Sequence, residues 1–151
     1  MVNRFERFSY AICEISRCWH RIAAEEMGKY NLKGPYAVYF TTLYRYPEGI
    51  PAVQLAELCG RDKADISRAV TTLEKAGFLT RGTQSAYRAC IQLTEQGLAL
   101  AEDINRKAQL AVERASAGLA PAKRAVFYEA LELITGNLQQ LSKSGLAEPE
   151  K

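Results

Sequence analysis

Two short helical patterns joined by a tight turn, and followed directly by a change to strand periodicity, constrain this fold more than any other feature. Residues 53–59 and 63–76 each carry one apolar stripe, and the turn between them begins with Gly60 and ends with Asp62, a residue suited to an N-cap. Gly77 is placed to end the second helix. From Phe78 onward, residues 79–81 and 87–93 have the pattern of two strands around a short loop. The segment predicts a helix-turn-helix followed by a β wing.

Long apolar seams lie toward both ends of the chain. Asn3 and Glu6 fit a capping box, and apolar side chains then recur at spacings of three and four through residues 5–22 and again through residues 127–141. A third stripe follows Thr94, a predicted N-cap, and consists of Leu98, Ala101, Ile104, Ala108, Val112 and Ala115. One subunit offers little surface to cover both terminal seams, so we expect a homodimer.

These elements predict a mainly α fold with a small β wing, a winged helix-turn-helix flanked by N- and C-terminal dimerisation helices. Residues 1–35 and 94–143 form the expected dimerisation region, residues 36–93 the winged helix-turn-helix, and residues 144–151 a polar tail. Within the middle region, residues 36–46 are expected to form one further helix. A chain of 151 residues suits a single compact domain.

Composition excludes several classes of protein. No apolar run is long enough to span a bilayer or to form a signal peptide, so we expect a cytoplasmic protein. The four cysteines are without CxxC spacing and His20 is the single histidine, which argues against a disulfide framework and a metal site. With no nucleophile-base motif or phosphate loop either, we expect no catalytic residues and no cofactor.

The positive charge of the chain is concentrated in one segment. Residues 61–88 hold six Lys and Arg against three Asp and Glu, and this local excess equals the formal net charge of +3 of the whole chain. The apolar stripe of the predicted helix 63–76 leaves small and cationic side chains on its opposite face: Lys63, Ala64, Ser67, Arg68 and Thr71. Small side chains allow a helix to enter the major groove of DNA, where Ser67 can donate to a phosphate or base edge and Arg68 can contact guanine O6 and N7 or a phosphate. Asp65 either accepts from cytosine N4 or, as we favour, serves the helix N-terminus.

The run from Pro51 to Arg81 resembles the MarR family of winged-helix transcriptional regulators. The resemblance is carried by Leu55-Ala56, Asp62-Lys63, Ser67-Arg68, Leu73-Glu74-Lys75 with Gly77, and Leu93-Thr94 with Gly97. It implies a cytoplasmic homodimer that binds a pseudo-palindromic double-stranded DNA operator, most simply as a repressor that a small aromatic or phenolic effector releases. The predicted DNA-binding residues are Arg61, Lys63, Ala64, Ser67, Arg68, Thr71, Arg81 and Arg88.

The wing departs from the family pattern. Members carry an Asp-x-Arg pair before the last wing strand, and Ser85 and Tyr87 occupy those positions here. Arg88 comes one residue late and is expected on the other side of the strand unless a bulge shifts it. Either Arg88 or Arg81 replaces the missing arginine, or the wing grips DNA weakly.

Two effector mechanisms follow from the resemblance. The first is an aromatic site between the dimerisation helices and the winged unit, with the candidate residues Tyr10, Arg17, Trp19, Tyr36, Tyr39 and Phe40; the aromatic members on 36–43 equally fit a core stripe. The second is peroxide sensing through Cys13, which lies in the region of the sensing cysteine of one branch of the family. A buried, unreactive Cys13 is the simpler alternative. A winged helix used for protein contacts, without DNA binding, is a separate alternative that the polar face with Lys63 and Arg68 disfavours.

Overall fold

The computed structural model describes residues 3–82 and 89–146. The chain divides into two compact units, residues 1–108 and 109–151. In the described residues the helices are α1 (Arg4–Gly28), α2 (Ala37–Tyr44), α3 (Ala52–Cys59), α4 (Lys63–Lys75), α5 (Glu95–Ala115) and α6 (Pro121–Ser144), and the strands are β1 (Ile50–Pro51), β2 (Leu79–Arg81) and β3 (Cys90–Leu93). The predicted mainly α fold with a small β wing is confirmed.

Local capping chemistry determines where several helices begin and end. At α1 the Asn3 side chain accepts from the Glu6 amide at 2.8 Å and the Glu6 carboxylate accepts from the Asn3 amide at 3.1 Å, which is the predicted capping box. Gly60 ends α3 in the left-handed region, with φ 60°, where a side chain would be strained. Pro121 occupies the first turn of α6, where its missing N–H costs nothing.

The sheet differs from the predicted two-stranded wing. Its order is β1-β3-β2, with Ile50 opposite Ile91 and Leu79 opposite Leu93, both pairings antiparallel. The short strand β1 was not predicted, because two residues between a turn and a helix show no period. The strand predicted at 87–93 is observed from Cys90; its first residues lie within 83–88, outside the described part of the chain.

The predicted helix 36–46 is shorter than expected. A 3₁₀ turn at Gly34–Tyr36 precedes α2, and α2 ends at Tyr44. The turn packs closely on α1, since a Cβ on Gly34 would lie 3.0 Å from the Ala24 Cα. The Ala37 amide donates to the Gly34 carbonyl in the tighter 3₁₀ pattern, which is common at helix starts, so the regular helix begins at Ala37.

The core of the first unit forms where α2, α3, α4 and the start of α5 meet the sheet. Phe40, Leu55 and Leu73 are fully buried, and the ring of Phe40 meets Phe78 edge to face with centroids 5.6 Å apart. On α5 the predicted apolar face was partly wrong. Leu100 is buried with Ala101 and Ile104, whereas Leu98 is 42% exposed, because the close approach of Gly97 to Phe78 turns the buried face toward position 97.

Two helices present apolar side chains that the described chain does not cover. In the first unit the seam of α1 is exposed along its length: Phe5, Phe8, Ile12, Ile15, Trp19 and Ile22. In the second unit α6 has no buried residue, and its exposed seam contains Phe127, Leu131, Ile134, Leu138 and Leu141. Apolar stripes of this length are normally covered in a stable protein.

Candidate nucleic-acid interface

Helix α4 has one buried side and one exposed side. Ile66, Ala69, Val70 and Leu73 are buried beneath it. Lys63, Ala64, Ser67 and Arg68 are exposed, and Thr71 is half-buried at the edge. The predicted candidate residues of this helix therefore share one accessible face.

The first turn of α4 is organised by two aspartates with different roles. Asp62 is the N-cap, and its carboxylate accepts from the Asp65 amide at 2.8 Å. The Asp65 carboxylate instead pairs with the Arg68 guanidinium one turn further along the same helix. Asp65 thus lies in the first turn, where a negative charge suits the helix dipole, but its side-chain partner is the arginine.

Arg81, at the end of β2, also carries a partner. Its Nε lies 3.5 Å from a Glu74 carboxylate oxygen, and another guanidinium nitrogen donates to the Thr71 hydroxyl at 3.3 Å. Arg81 is thereby drawn to the C-terminal half of α4. Arg61 is exposed in the turn before α4. Arg88 lies outside the described residues, so the replacement of the family's wing arginine by Arg88 or Arg81 stays a prediction.

The C-terminal end of α4 is tied to the start of α5. The Thr94 hydroxyl donates to the Gly77 carbonyl at 2.7 Å and accepts from the Gly97 amide at 3.0 Å. The Thr94 amide donates to the Phe78 carbonyl at 3.0 Å. A Cβ on Gly97 would lie 2.0 Å from the Phe78 oxygen, so the two segments approach as closely as glycine allows.

The aromatic effector candidates fall into separate environments. Phe40 has no exposed surface and Tyr39 only 4%, so both belong to the core. Tyr36 is half-buried, with its ring centroid 6.1 Å from that of Tyr39. The 3₁₀ turn with Tyr36 meets α1 at Ala24, about 21 Å along the helix from Tyr10.

Arg17 and Trp19 lie on the exposed surface of α1, Trp19 with 43% of its surface accessible. The Arg17 guanidinium is already paired with Glu14, and this contact raises the pKa of Arg17 further. Within one subunit the candidate effector residues therefore do not form a single pocket.

The thiols also differ in exposure. Cys13 and Cys18 are exposed on α1, whereas Cys59 and Cys90 are half-buried. Cys59 donates to the Thr42 hydroxyl at 3.5 Å, and burial raises the pKa of its thiol. Cys59 is accordingly less reactive than an ordinary thiol, while exposure leaves Cys13 open to reagents.

A polar cluster between α1 and α5 was missed by sequence reasoning. Asp103 accepts from the Tyr30 hydroxyl at 2.5 Å and from Lys107 at 2.8 Å, and Lys107 also contacts Glu26 at 2.6 Å. Arg106 completes the set at 2.6 Å from Asp103. Hydrogen bonding by Lys107 and Tyr30 holds the pKa of Asp103 far below its usual range, and contact with Asp103 and Glu26 raises the pKa of Lys107. The spacing of Asp103 and Lys107 on one helix was readable; the pairing with α1 depends on the tertiary fold.

Across residues 3–82 and 89–146, no three His, Cys, Asp or Glu side chains are grouped so that they would hold a metal ion. Within the same part of the chain, no helix combines the length and apolar character that crossing a membrane requires.

Two short helices around a tight turn, the second with an exposed cationic face and followed by an antiparallel sheet, define a winged helix-turn-helix protein. Residues 37–85, which span α2 to the wing, match the model of the MarR family. Over these residues the chain is therefore similar to the MarR family. No curated protein matches the chain.

Solved structures of regulators share the fold over most of the chain. The transcriptional regulator SlyA is 24% identical, with 88% of this chain and 94% of that chain covered and a TM-score of 0.79. A MarR-family regulator from Silicibacter pomeroyi is 18% identical, covers 98% and 97%, and has a TM-score of 0.74. Staphylococcus aureus MepR in complex with DNA is 19% identical, covers 87% and 97%, and has a TM-score of 0.78.

Proposed function

We propose that the chain is a homodimeric regulator of transcription that binds a pseudo-palindromic DNA duplex through α4. The observation that carries the proposal is the division of this helix, with four apolar residues in the core and Lys63, Ser67 and Arg68 on the accessible face. A related fold has been solved with DNA, as MepR, which supports the same use here.

The chemistry of the exposed face fits the major groove. A groove about 12 Å wide admits an α-helix, and Ala64 and Ser67 keep this face narrow. Lys63 at the helix N-terminus suits a phosphate contact, while the guanidinium of Arg68 can donate two parallel hydrogen bonds to guanine. Arg61 and Arg81 flank the helix and add phosphate contacts that position it.

The exposed seams of α1 and α6 support the dimer. Both are apolar over several turns, and a second copy would present the same seams to them. A twofold dimer places two α4 helices about 34 Å apart, one helical turn of duplex, and so requires two half-sites at that spacing. Residues 1–35 and 94–143 are the proposed dimerisation region on this basis.

DNA binding tests the proposal directly. The wild type and a Lys63→Ala, Arg68→Ala double variant are titrated with a duplex from upstream of the coding sequence at several salt concentrations. We expect wild-type affinity to fall steeply with salt and the double variant to bind at least about 100-fold more weakly. A Lys123→Ala, Arg124→Ala variant loses one lysine and one arginine from α6 instead of α4 and is expected to bind as the wild type does.

Equal binding by all three proteins, or none by the wild type, contradicts a DNA-reading role for α4. In that case the same accessible face would serve protein contacts, the alternative function of a winged helix. Light scattering on the same samples measures the mass in solution and tests the dimer separately.

The proposal extends to repression that a small aromatic effector relieves by releasing the protein from DNA. Since Tyr39 and Phe40 lie in the core, the candidates left accessible to such a ligand are Tyr10, Arg17, Trp19 and Tyr36. Within one subunit they do not share one pocket, so a ligand would contact only some of them, and for Arg17 it would have to compete with Glu14. Titration of the protein–DNA complex with salicylate tests this part, and an unchanged DNA affinity at millimolar ligand argues against a site for this class of compound.

Peroxide sensing is favoured by one observation, the exposure of Cys13. Peroxide treatment followed by mass spectrometry would detect a sulfenic acid or a disulfide at this thiol. A Cys13→Ser protein that still releases DNA on peroxide treatment excludes the mechanism.

A further inference from the structure

The accessible face of α4 contains an ion pair between an arginine and an aspartate of the same helix. Asp65 and Arg68 are one helical turn apart and form an ion pair with 43% and 71% of their side chains exposed. The N-cap of the helix is Asp62, so the Asp65 carboxylate is not used in capping. Its hydrogen-bonding capacity is directed at the guanidinium.

This pair contributes little to the stability of the free protein. Exposed ion pairs one turn apart on a helix stabilise a fold only weakly, because water screens both charges. A negative charge on this face also repels phosphates, so Asp65 weakens binding to any duplex. An aspartate that does not cap the helix, that adds only the small stabilisation of an exposed charge in the first turn, and that opposes DNA binding calls for a further role.

Docking of α4 in the major groove strengthens the interaction between Asp65 and Arg68. Water is excluded from the contact, and the attraction between the two charges increases as the local dielectric falls. A long arginine side chain has many rotamers, and a fixed carboxylate partner reduces the entropy lost when the guanidinium forms its paired bonds to guanine. The same pairing leaves fewer guanidinium hydrogens for a wrong base or a nearby phosphate.

We propose that Asp65 is a positioning residue that makes Arg68 selective for guanine and lowers the affinity of the protein for non-cognate DNA. The inference rests on the proposed function. Arg81 and Glu74 form a comparable pair at the other end of α4. Arg81, however, lies on β2 and also donates to Thr71, so it is suited to a fixed contact with the DNA phosphates.

The experiment measures base preference without a known operator. A duplex pool with a randomised centre is enriched by binding to the wild type, Asp65→Ala, Asp65→Asn and Asp65→Glu, and each enriched pool is sequenced. The affinity for the unselected pool is measured in parallel. Glu57→Gln on the neighbouring α3 is the matched control, because it removes the same charge from an exposed residue that is not part of the pair.

We expect the wild type to prefer guanine at one position of each half-site by about 10-fold to 100-fold, the range of a good arginine–guanine contact. In Asp65→Ala and Asp65→Asn this preference falls below about 3-fold, while binding to the unselected pool tightens by roughly 3-fold to 10-fold. Asp65→Glu keeps the carboxylate and retains most of the preference. Glu57→Gln retains the wild-type preference.

The outcomes distinguish a failure of the role proposed for Asp65 from a failure of the proposed DNA binding by α4. Wild-type guanine preference in both Asp65→Ala and Asp65→Asn overturns the positioning role and leaves DNA binding by α4 intact. A loss confined to a neighbouring cytosine position means that Asp65 reads a base itself, which also overturns it. A wild type that enriches no sequence contradicts the proposed function and the inference together. Asp65→Asn is nearly isosteric and guards against a folding defect in Asp65→Ala, which thermal unfolding of both variants would reveal.

Discussion

Replacement of Gly97 by alanine tests the closest approach in the winged unit. The added Cβ would lie 2.0 Å from the Phe78 carbonyl oxygen, whereas carbon and oxygen in contact are normally about 3.3 Å apart. The first turn of α5 and the segment after α4 must then separate by roughly 1 Å. Their link through Thr94 opposes that movement, since it holds both segments at hydrogen-bond distance.

The expected loss of stability follows from two opposing effects. Forcing an extra carbon into a well-packed contact costs about 1–3 kcal/mol, and the short distance at Gly97 points to the upper end. Alanine is favoured over glycine within a helix by about 1 kcal/mol, so the net loss is about 2 kcal/mol. For a chain of this size that loss lowers Tm by about 4–8 °C.

Thermal unfolding followed by circular dichroism measures the shift, at one protein concentration because a dimer would make Tm concentration-dependent. Gly136→Ala on α6 is the matched control, since nothing lies within 4 Å of its added Cβ. There the helix preference acts alone, and Tm is expected to rise by up to about 4 °C. A Gly97→Ala protein that melts at or above the wild-type temperature would refute the close approach of α5 to Phe78.

Three further predictions concern other parts of the molecule. Ile134→Asp places a charge on the exposed seam of α6 and is expected to shift the protein from dimer to monomer in light scattering, whereas an unchanged mass would exclude that seam from the interface. Because its folded-state pKa is strongly depressed, Asp103 stabilises the fold at neutral pH, and this contribution begins to decline as pH falls below about 4 and is lost only near the depressed pKa itself. Asp103→Asn should therefore lower Tm by a few degrees at pH 7 and by somewhat less at pH 3. In a timed alkylation read by mass spectrometry, Cys59 is expected to react more slowly than Cys18, because it is half-buried and burial raises the pKa of its thiol. Equal rates would contradict that burial.

Features set by neighbouring residues in the chain could be predicted from the sequence. The capping box at Asn3, the cap at Asp62 and the left-handed end of α3 at Gly60 each depend on chemistry within four residues. The same holds for the exposed face of α4, because a helix with one apolar stripe must turn its other side away from the core. The sequence therefore predicts which residues of α4 share the accessible face, but it does not predict the ion pairs that they form.

Features that depend on distant segments could not be predicted. Strand β1 exists because β3 is present to pair with it, and two residues carry no period of their own. Leu100 rather than Leu98 is buried because Gly97 lets α5 approach Phe78 on that side, a contact that the helical spacing alone does not reveal. Aromatic side chains at helical spacing fitted either a core or a ligand wall, and only the fold places Phe40 in the core.

Helix α5 connects the proposed dimer seam to the proposed DNA-reading helix. At its start, Thr94 and Gly97 join it to the end of α4, so a displacement of α5 displaces α4 as well. Directly before the buried Ile104, Asp103 joins it to Tyr30 after α1, and Lys107 strengthens the same link. Since both ties are short and polar, the winged unit and the end of α1 cannot shift independently without breaking hydrogen bonds. A ligand or modification that changes the spacing of two α4 helices must therefore either move α5 or break one of these ties, and DNA affinity in a Thr94→Val protein would show how much of that control passes through the first.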